Sequence, residues 1–235
     1  MSAWVVSHPA EESANCGDFA AVIPLRAGRH AIIVGDVAGR GTAVGDVAAS
    51  LFVQVRDLMA VGVRLSEVLH VAHASFVRTM RSEAIPFTSL FIAMIDRAAS
   101  MLRYASAGHE PALLFAADGA THHHLDPTGP VLGIRPIPVF RQQQVRLRRG
   151  DSLVAVTDGI TEAWRADGGE LDFFGTRGVV HAMREAVRDA RDPARAVCEA
   201  AKAHAGGKLC DDASVAVVMA SSPVAVRLPV GIARW

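Results

Sequence analysis

Four aspartates in this chain stand where a glycine-marked turn meets an apolar run. Asp18 follows Cys16-Gly17 and opens the run from Phe19 to Leu25. Asp36 lies in Gly35-Asp36-Val37-Ala38-Gly39-Arg40-Gly41, directly after the run from His30 to Val34. Asp158 stands in Thr157-Asp158-Gly159 behind Ser152 to Val156, and Asp211 in Asp211-Asp212-Ala213-Ser214 ahead of a buried run. Carboxylates at strand ends, gathered by folding, form a hard-oxygen cage for divalent ions. Left unneutralised, such a cluster repels itself: at about 5 Å and an effective dielectric of about 20, each carboxylate pair costs roughly 3 kcal/mol. Two divalent cations cancel the charge of four carboxylates. The main-chain carbonyl of Val37 joins the candidate ligands, because the glycines around Asp36 let the backbone turn sharply and approach an ion. A phosphate cradle does not fit this stretch, which lacks Gly-Lys-Ser/Thr.

Each setting also has an ordinary structural reading. Asp36 can cap a strand–turn–helix corner, and Asp-Gly at 158–159 is a common turn pair. Asp211 and Asp212 can cap a sheet edge, and Asp18 can be a turn residue. Four such settings in one chain point instead to a shared site.

The elements that would carry these residues are legible from periodicity. Strand patterns cover Ala3 to Val6, Phe19 to Leu25 and His30 to Val37. Residues Thr42 to Val61 place Val44, Val47, Ala48, Leu51, Phe52, Val55, Leu58 and Met59 at helical spacing. After Gly62, with Ser66 as cap, a second amphipathic helix is predicted over Ser66 to Arg81. A long β region follows, with strands over Thr88 to Asp96, Met101 to Ala107, Pro111 to Ala116, Thr121 to Leu125, Val139 to Leu147 and Ser152 to Val156. Helices return over Gly175 to Asp189 and Pro193 to Ala205, and Ala213 to Met219 is a last buried strand. This order predicts an α+β sandwich of antiparallel sheets covered by helix pairs. Nothing divides the chain, so 1–221 is read as one domain and 222–235 as a C-terminal tail.

Composition narrows the function. An apolar fraction of 51% in 235 residues gives one domain a sizeable core. Lys and Arg total 24, as do Asp and Glu, so neither nucleic acid nor an anionic membrane is favoured as a partner. No apolar stretch reaches the roughly 20 residues of a membrane span. No secretory signal opens the sequence, and three scattered cysteines suit a reducing compartment. A cytoplasmic location is expected. Other reactive residues read as structural. His109 sits in a Gly-His-Glu turn between strands. His122, His123 and His124 alternate faces on a strand, so only two can converge. Arg141, Arg146, Arg148 and Arg149 read as a solvated face, and Cys16 and Cys210 as small buried thiols rather than a redox pair.

The order of the motifs carries a resemblance. Gly-Asp-Phe at 17–19, Gly-Asp-Val-Ala-Gly-Arg-Gly at 35–41, Ser106-Ala107-Gly108-His109-Glu110-Pro111, Thr128-Gly129-Pro130-Val131-Leu132-Gly133, the segment from Asp151 to Ala163, and Asp211-Asp212-Ala213-Ser214 together resemble the SpoIIE/RsbU-type branch of the PPM (protein phosphatase 2C) family. The resemblance runs from about Ser7 to Met219, and its Cys-Gly-Asp opening looks like the short, stand-alone RsbX-like members. It implies an α-β-β-α sandwich of two antiparallel sheets flanked by helix pairs, with two Mn²⁺ or Mg²⁺ ions. It further implies hydrolysis of phosphoserine or phosphothreonine on a regulatory protein, usually an anti-sigma antagonist with the STAS fold. Carried over residue by residue, Asp36 bridges both metals, Asp18 and the Val37 carbonyl complete one site, and Asp158 and Asp211 hold the other. Between two such ions a water's pKa falls from 15.7 toward roughly 7, and the resulting hydroxide attacks phosphorus in line. Cys16 replaces the usual first Gly, Ala21 the usual last Asp, and Ser214 the usual Thr. The change at Ala21 keeps open a catalytically weak, partner-binding module, and a small-molecule phosphoesterase is a further alternative. The helix pair Thr42 to Val61 and Ser66 to Arg81 follows the Asp36 loop directly and is expected to be a regulatory surface.

Overall fold

Side chains along a strand alternate between faces, and in the segment Arg29–Val37 both faces are apolar. Such a strand must be covered twice. Ala31 and Ile33 pack with helical residues, while Ile32 and Val34 pack with residues of a second sheet. The same division recurs at Ser152–Val156, where Leu153 and Ala155 join the inter-sheet core and Val154 and Val156 face helices. Four layers follow from this alternation.

The computed structural model describes residues 1–9, 16–83, 86–119, 121–167 and 170–220; the tail predicted at 222–235 lies outside the described residues. In chain order the strands are Ser2–His8 (β1), Asp18–Pro24 (β2), Arg29–Val37 (β3), Thr88–Asp96 (β4), Met101–Ala107 (β5), Ala112–Phe115 (β6), His122–Leu125 (β7), Gln143–Arg146 (β8), Ser152–Val156 (β9), Trp164–Asp167 (β10), Glu170–Phe173 (β11) and Ala213–Met219 (β12). The helices are Thr42–Ala60 (α1), Leu65–Glu83 (α2), the single turn Asp158–Thr161 (α3), Gly175–Arg188 (α4) and Pro193–His204 (α5). One sheet has the order β1-β12-β9-β6-β7 and the other β2-β3-β4-β5-β8, with all pairings antiparallel. Helices α1 and α2 cover the second sheet, and α4 and α5 cover the first. This is the predicted α-β-β-α sandwich. Among the described residues no helix is long and apolar enough to cross a membrane.

The helices form for readable reasons. Buried residues of α1 recur at helical spacing, from Val44 through Val47, Ala48, Leu51 and Val55 to Met59. Helix α5 starts on Asp192, whose carboxylate accepts from the Arg195 amide at 3.0 Å, with Pro193 in the first turn. Three expectations need correction. Helix α2 begins at Leu65, so Ser66 is not its cap; the Leu65 amide instead donates to the side chain of Gln142, 77 residues away. The predicted strand over Val139 to Leu147 shortens to β8, because Phe140 drops into the core beneath α2 and only Gln143–Arg146 pair with β5. The predicted Pro111 to Ala116 and Thr121 to Leu125 strands shorten to β6 and β7. The sequence reading missed α3 and the separate β10–β11 hairpin, each too short to show a period.

Candidate metal centre

Strand parity brings the carboxylates together. Asp36 has the parity of Ile32 and Val34, so it points between the sheets. Asp18 is its register partner on β2 and shares that face. On the other sheet, β9 and β12 pair antiparallel with Val156 opposite Val215, so the residue after β9 and the residues before β12 lie at the same end. Asp158 opens α3 there, and Asp211 and Asp212 lead into β12.

Thr157 joins the two sheets. Its hydroxyl donates to Asp18 Oδ2 at 2.6 Å and accepts from the Ser214 amide at 2.8 Å. Asp212 reaches across as well, its Oδ2 accepting from the Gly17 amide at 3.0 Å. Gly17 has no room for a side chain: a Cβ there would stand 2.5 Å from the Val37 carbonyl oxygen. The Val37 amide meanwhile donates to the Gly17 carbonyl at 3.2 Å.

The electrostatics register the crowding. Burial, and then the charges of Asp158, Asp211 and Asp212, push Asp36 up to about 7. Asp18 is raised well above the usual carboxylate range, by burial first; the Thr157 hydrogen bond opposes this, and Asp36 and Asp212 add to it. Asp158 is raised by burial and then by Glu162 and Asp211. Glu110 extends the acidic cluster, raised by burial and by Glu162 and held by Thr161 Oγ1 at 3.4 Å.

Asp211 stands apart from this group. Its side chain is 62% exposed and lies 3.6 Å from the Arg40 guanidinium, which also donates to the Cys210 carbonyl at 3.1 Å. Among the described residues, no three His, Cys, Asp or Glu side chains are gathered closely enough to hold a metal ion as they stand. The donor set nonetheless fits a hard divalent cation. It consists of carboxylate oxygens, with the proton affinity of Asp18, Asp36 and Asp158 raised by burial and then by their neighbours, and of the Val37 carbonyl beside a residue that must be glycine. Of the nearby soft donors, Cys16 is pushed up by burial, by its hydrogen bond to Asp212 and by the charges of Asp18 and Asp212, which keeps it a thiol.

The remaining sequence candidates fall elsewhere. His109 is buried, with Nδ1 2.7 Å from Ser89 Oγ, and burial lowers it to about 4, which keeps the ring neutral. His122 and His124 share one face of the edge strand β7, their rings 5.8 Å apart, while His123 faces away. Arg141, Arg146, Arg148 and Arg149 are exposed around β8. Of the two thiols expected to be buried, Cys16 is half-buried, whereas Cys210 is exposed because its loop lies outside the layers. Sequence reasoning gave no role to Thr157, Arg40 or Glu162. The first two sit inside the motifs that flagged Asp158 and Asp36, and only the fold shows where they reach.

Residues 26–220 match the model of the family described as Stage II sporulation protein E (SpoIIE). The chain is 30% identical over 141 residues to phosphoserine phosphatase RsbU of Bacillus subtilis (strain 168), covering 60% of this chain and 41% of that protein. It is 33% identical over 88 residues to protein IcfG of Synechocystis sp., covering 37% of this chain and 14% of that protein. It thus spans less than half the length of either relative. Among solved structures, the RsbU and RsbW domains of Rv1364c from Mycobacterium tuberculosis share the fold with a TM-score of 0.76 at 22% identity, over 95% of this chain and 62% of that one. The phosphatase and partial regulatory domain of SpoIIE from Bacillus subtilis does so with a TM-score of 0.73 at 16% identity, over 94% and 63%. RsbX in complex with magnesium gives 0.66 at 13% identity, over 92% of both chains.

Proposed function

This chain belongs to the SpoIIE family, in the SpoIIE/RsbU-type branch of the PPM phosphatases, and from that membership we propose that it hydrolyses phosphoserine or phosphothreonine on a regulatory protein, using two divalent cations. The observation that carries the reading is the convergence of Asp18, Asp36 and Asp158 at one end of the two sheets, with Asp211 at the rim. Magnesium in the RsbX structure supports an Mg²⁺ or Mn²⁺ centre.

In this proposal Asp36 would serve both ions, Asp18 and the Val37 carbonyl would hold one, and Asp158 and Asp211 would hold the other. When bound, the cations supply an activated water and neutralise charge on the phosphoryl oxygens. The chain's own part is to hold the ligands. Thr157 fixes the Asp18 carboxylate, Gly17 leaves the Val37 carbonyl uncovered, and Asp212 ties the Gly17 turn to the β12 loop. To take this part, Asp211 would give up its contacts with the Arg40 guanidinium and the Asp212 amide. The substrate is proposed to be a phosphorylated regulator of the partner-switching kind, with the STAS fold, in keeping with the likeness to RsbU and to the RsbU and RsbW domains of Rv1364c. A cytoplasmic setting accords with such a partner.

The test is hydrolysis of p-nitrophenyl phosphate and of a phosphoserine peptide with Mn²⁺, with and without EDTA. Wild type should turn over both only with metal. Asp36→Asn should lose at least about 100-fold in kcat, the scale of removing a group that stabilises transition-state charge. Metal-independent turnover, or an active Asp36→Asn protein, would refute the two-metal reading.

A further inference from the structure

The segment from Pro127 to Gly150 carries five arginines and no acidic residue, on a chain whose formal net charge is zero. Arg135, Arg141, Arg146, Arg148 and Arg149 are all exposed. None of them has a carboxylate within ion-pair distance among the described residues. A neutral chain has enough carboxylates to pair them, so the charge of this segment is left open to solvent.

The same segment forms the edge of a core sheet. Strand β8 ends the order β2-β3-β4-β5-β8, so among the described residues no strand pairs with its outer side. An edge of this kind presents backbone N–H and C=O groups ready to pair with another strand. Gln144 and Arg146 share one face of β8, and Arg103 of β5, opposite Gln144, adds a further arginine to that face. The loop leading into β8 is apolar at its surface. Ile134, Ile137 and Val139 are 60%, 88% and 63% exposed, although Phe140, directly after them, is buried with its ring 5.1 Å from that of His70 on α2. Phe140 thus anchors a loop whose aliphatic side chains stay in water.

We infer that the β8 edge is a docking surface for an acidic, extended segment of a partner protein, which joins the sheet as a further strand and sets its carboxylates against Arg141, Arg146 and Arg148. Charge carries the choice of occupant. Main-chain pairing is blind to sequence and supplies affinity, whereas a row of unpaired arginines selects a partner of opposite sign. A second copy of this chain is a poor occupant, because a symmetric pairing of two β8 edges sets like charges against one another. Charge alone also serves to keep sheet edges apart in solution. The exposed Ile134, Ile137 and Val139 work against that end and fit a surface that is covered when a partner binds. The inference goes beyond the phosphatase reading and does not depend on it.

The experiment uses the full chain and three fluorescein-labelled peptides of about ten residues, the length of a long strand. One alternates Glu and Thr, one Lys and Thr, and one Glu and Pro; the last keeps the charge but cannot donate to a strand ladder at every second residue. Binding is read by anisotropy in EDTA, so its failure and that of the phosphatase reading are distinguishable. Wild type should bind the Glu-Thr peptide at least about tenfold tighter than the Lys-Thr peptide, the scale of a few solvent-screened charge pairs. Added salt should shrink the difference, and the Glu-Pro peptide should bind several-fold more weakly than the Glu-Thr peptide. Amide exchange over residues 143–146 should slow when the Glu-Thr peptide is present. The double variant Arg141→Glu/Arg146→Glu should abolish or invert the preference at an unchanged melting temperature, and Arg195→Glu, an exposed change on α5, should leave it alone. Equal binding of the Glu-Thr and Lys-Thr peptides, or an unchanged preference in the double variant, overturns the docking surface. Equal binding of the Glu-Thr and Glu-Pro peptides overturns strand addition. If the chain binds phosphatidylglycerol vesicles through these arginines and binds no peptide, the edge faces a membrane and the proposal falls.

Discussion

The Thr157 hydroxyl uses its donor and an acceptor lone pair inside the site, one on the Asp18 carboxylate and the other on the Ser214 amide. Asp18 is 4% exposed, so water offers no substitute partner. Thr157→Val keeps the shape and removes both bonds. It should lower stability by about 2 kcal/mol, the usual cost of stranding a buried polar group. It should also weaken Mn²⁺ binding, because the unsupported Asp18 holds its proton more tightly. Thr157→Ser should restore both properties. Urea melts and isothermal titration with Mn²⁺ read the two effects separately, and a Val variant as stable as wild type would refute the role. Asp18, Asp36 and Asp158 were legible in the sequence, since a neighbouring glycine and an adjoining apolar run mark a strand end, and Asp211 by the buried run that follows it. Thr157 was not, because its partners lie 139 and 57 residues away and only strand parity aims it at them.

Elements set the aim of these residues, and α3 is the tightest of them. A Cβ on Gly159 would land on the Asp212 carbonyl oxygen, so α3 rests against the loop leading into β12 with no space between. Gly159→Ala must part these two segments, and they carry Asp158 and Asp211. Overpacking of this kind costs about 1–3 kcal/mol, and a displacement near 1 Å can cost about 100-fold in rate. The variant should therefore fold with a reduced melting temperature and lose kcat far more than stability; kinetics at a temperature well below its melt would show this. Near-normal kcat would mean that the contact does not position the site. The long helices follow from period, and β3, β4, β5, β9 and β12 from apolar runs of strand length bounded by turn residues. Helix α3 and the β10–β11 hairpin span four residues per element and repeat nothing. Tertiary contact decides them. The start of α2 is a similar case, since a glutamine from a distant segment meets its first amide.

For the whole molecule, folding gathers carboxylates that repel one another, and pH and metal should reveal that cost. Asp36 rises from 3.8 in its ordinary state to about 7 on folding, so the folded protein holds a proton that the unfolded chain releases. That stability is fully present below the unfolded value and is lost as pH rises through about 7. Buried His109, lowered from 6.5 to about 4, acts oppositely, adding stability as pH rises across that window. The informative quantity is therefore the difference between wild type and Asp36→Asn. In EDTA, wild type should lose melting temperature relative to Asp36→Asn between pH 5 and pH 7.5, as followed by calorimetry. Mn²⁺ at about 100 times its Kd at pH 7.5 should return about 2.7 kcal/mol there, and the same concentration should return less at pH 5, where the ligands hold protons and Kd is larger. Parallel curves for the two proteins would show that Asp36 is not strained by its neighbours. The sequence by itself determined the sandwich, its helix pairs and four of the carboxylates, because periodicity and glycine-marked turns are local signals. Only the tertiary structure decided that Asp18, Asp36 and Asp158 share one end while Asp211 leans outward to Arg40. The reason is that which strand ends meet depends on pairing between residues far apart in the chain.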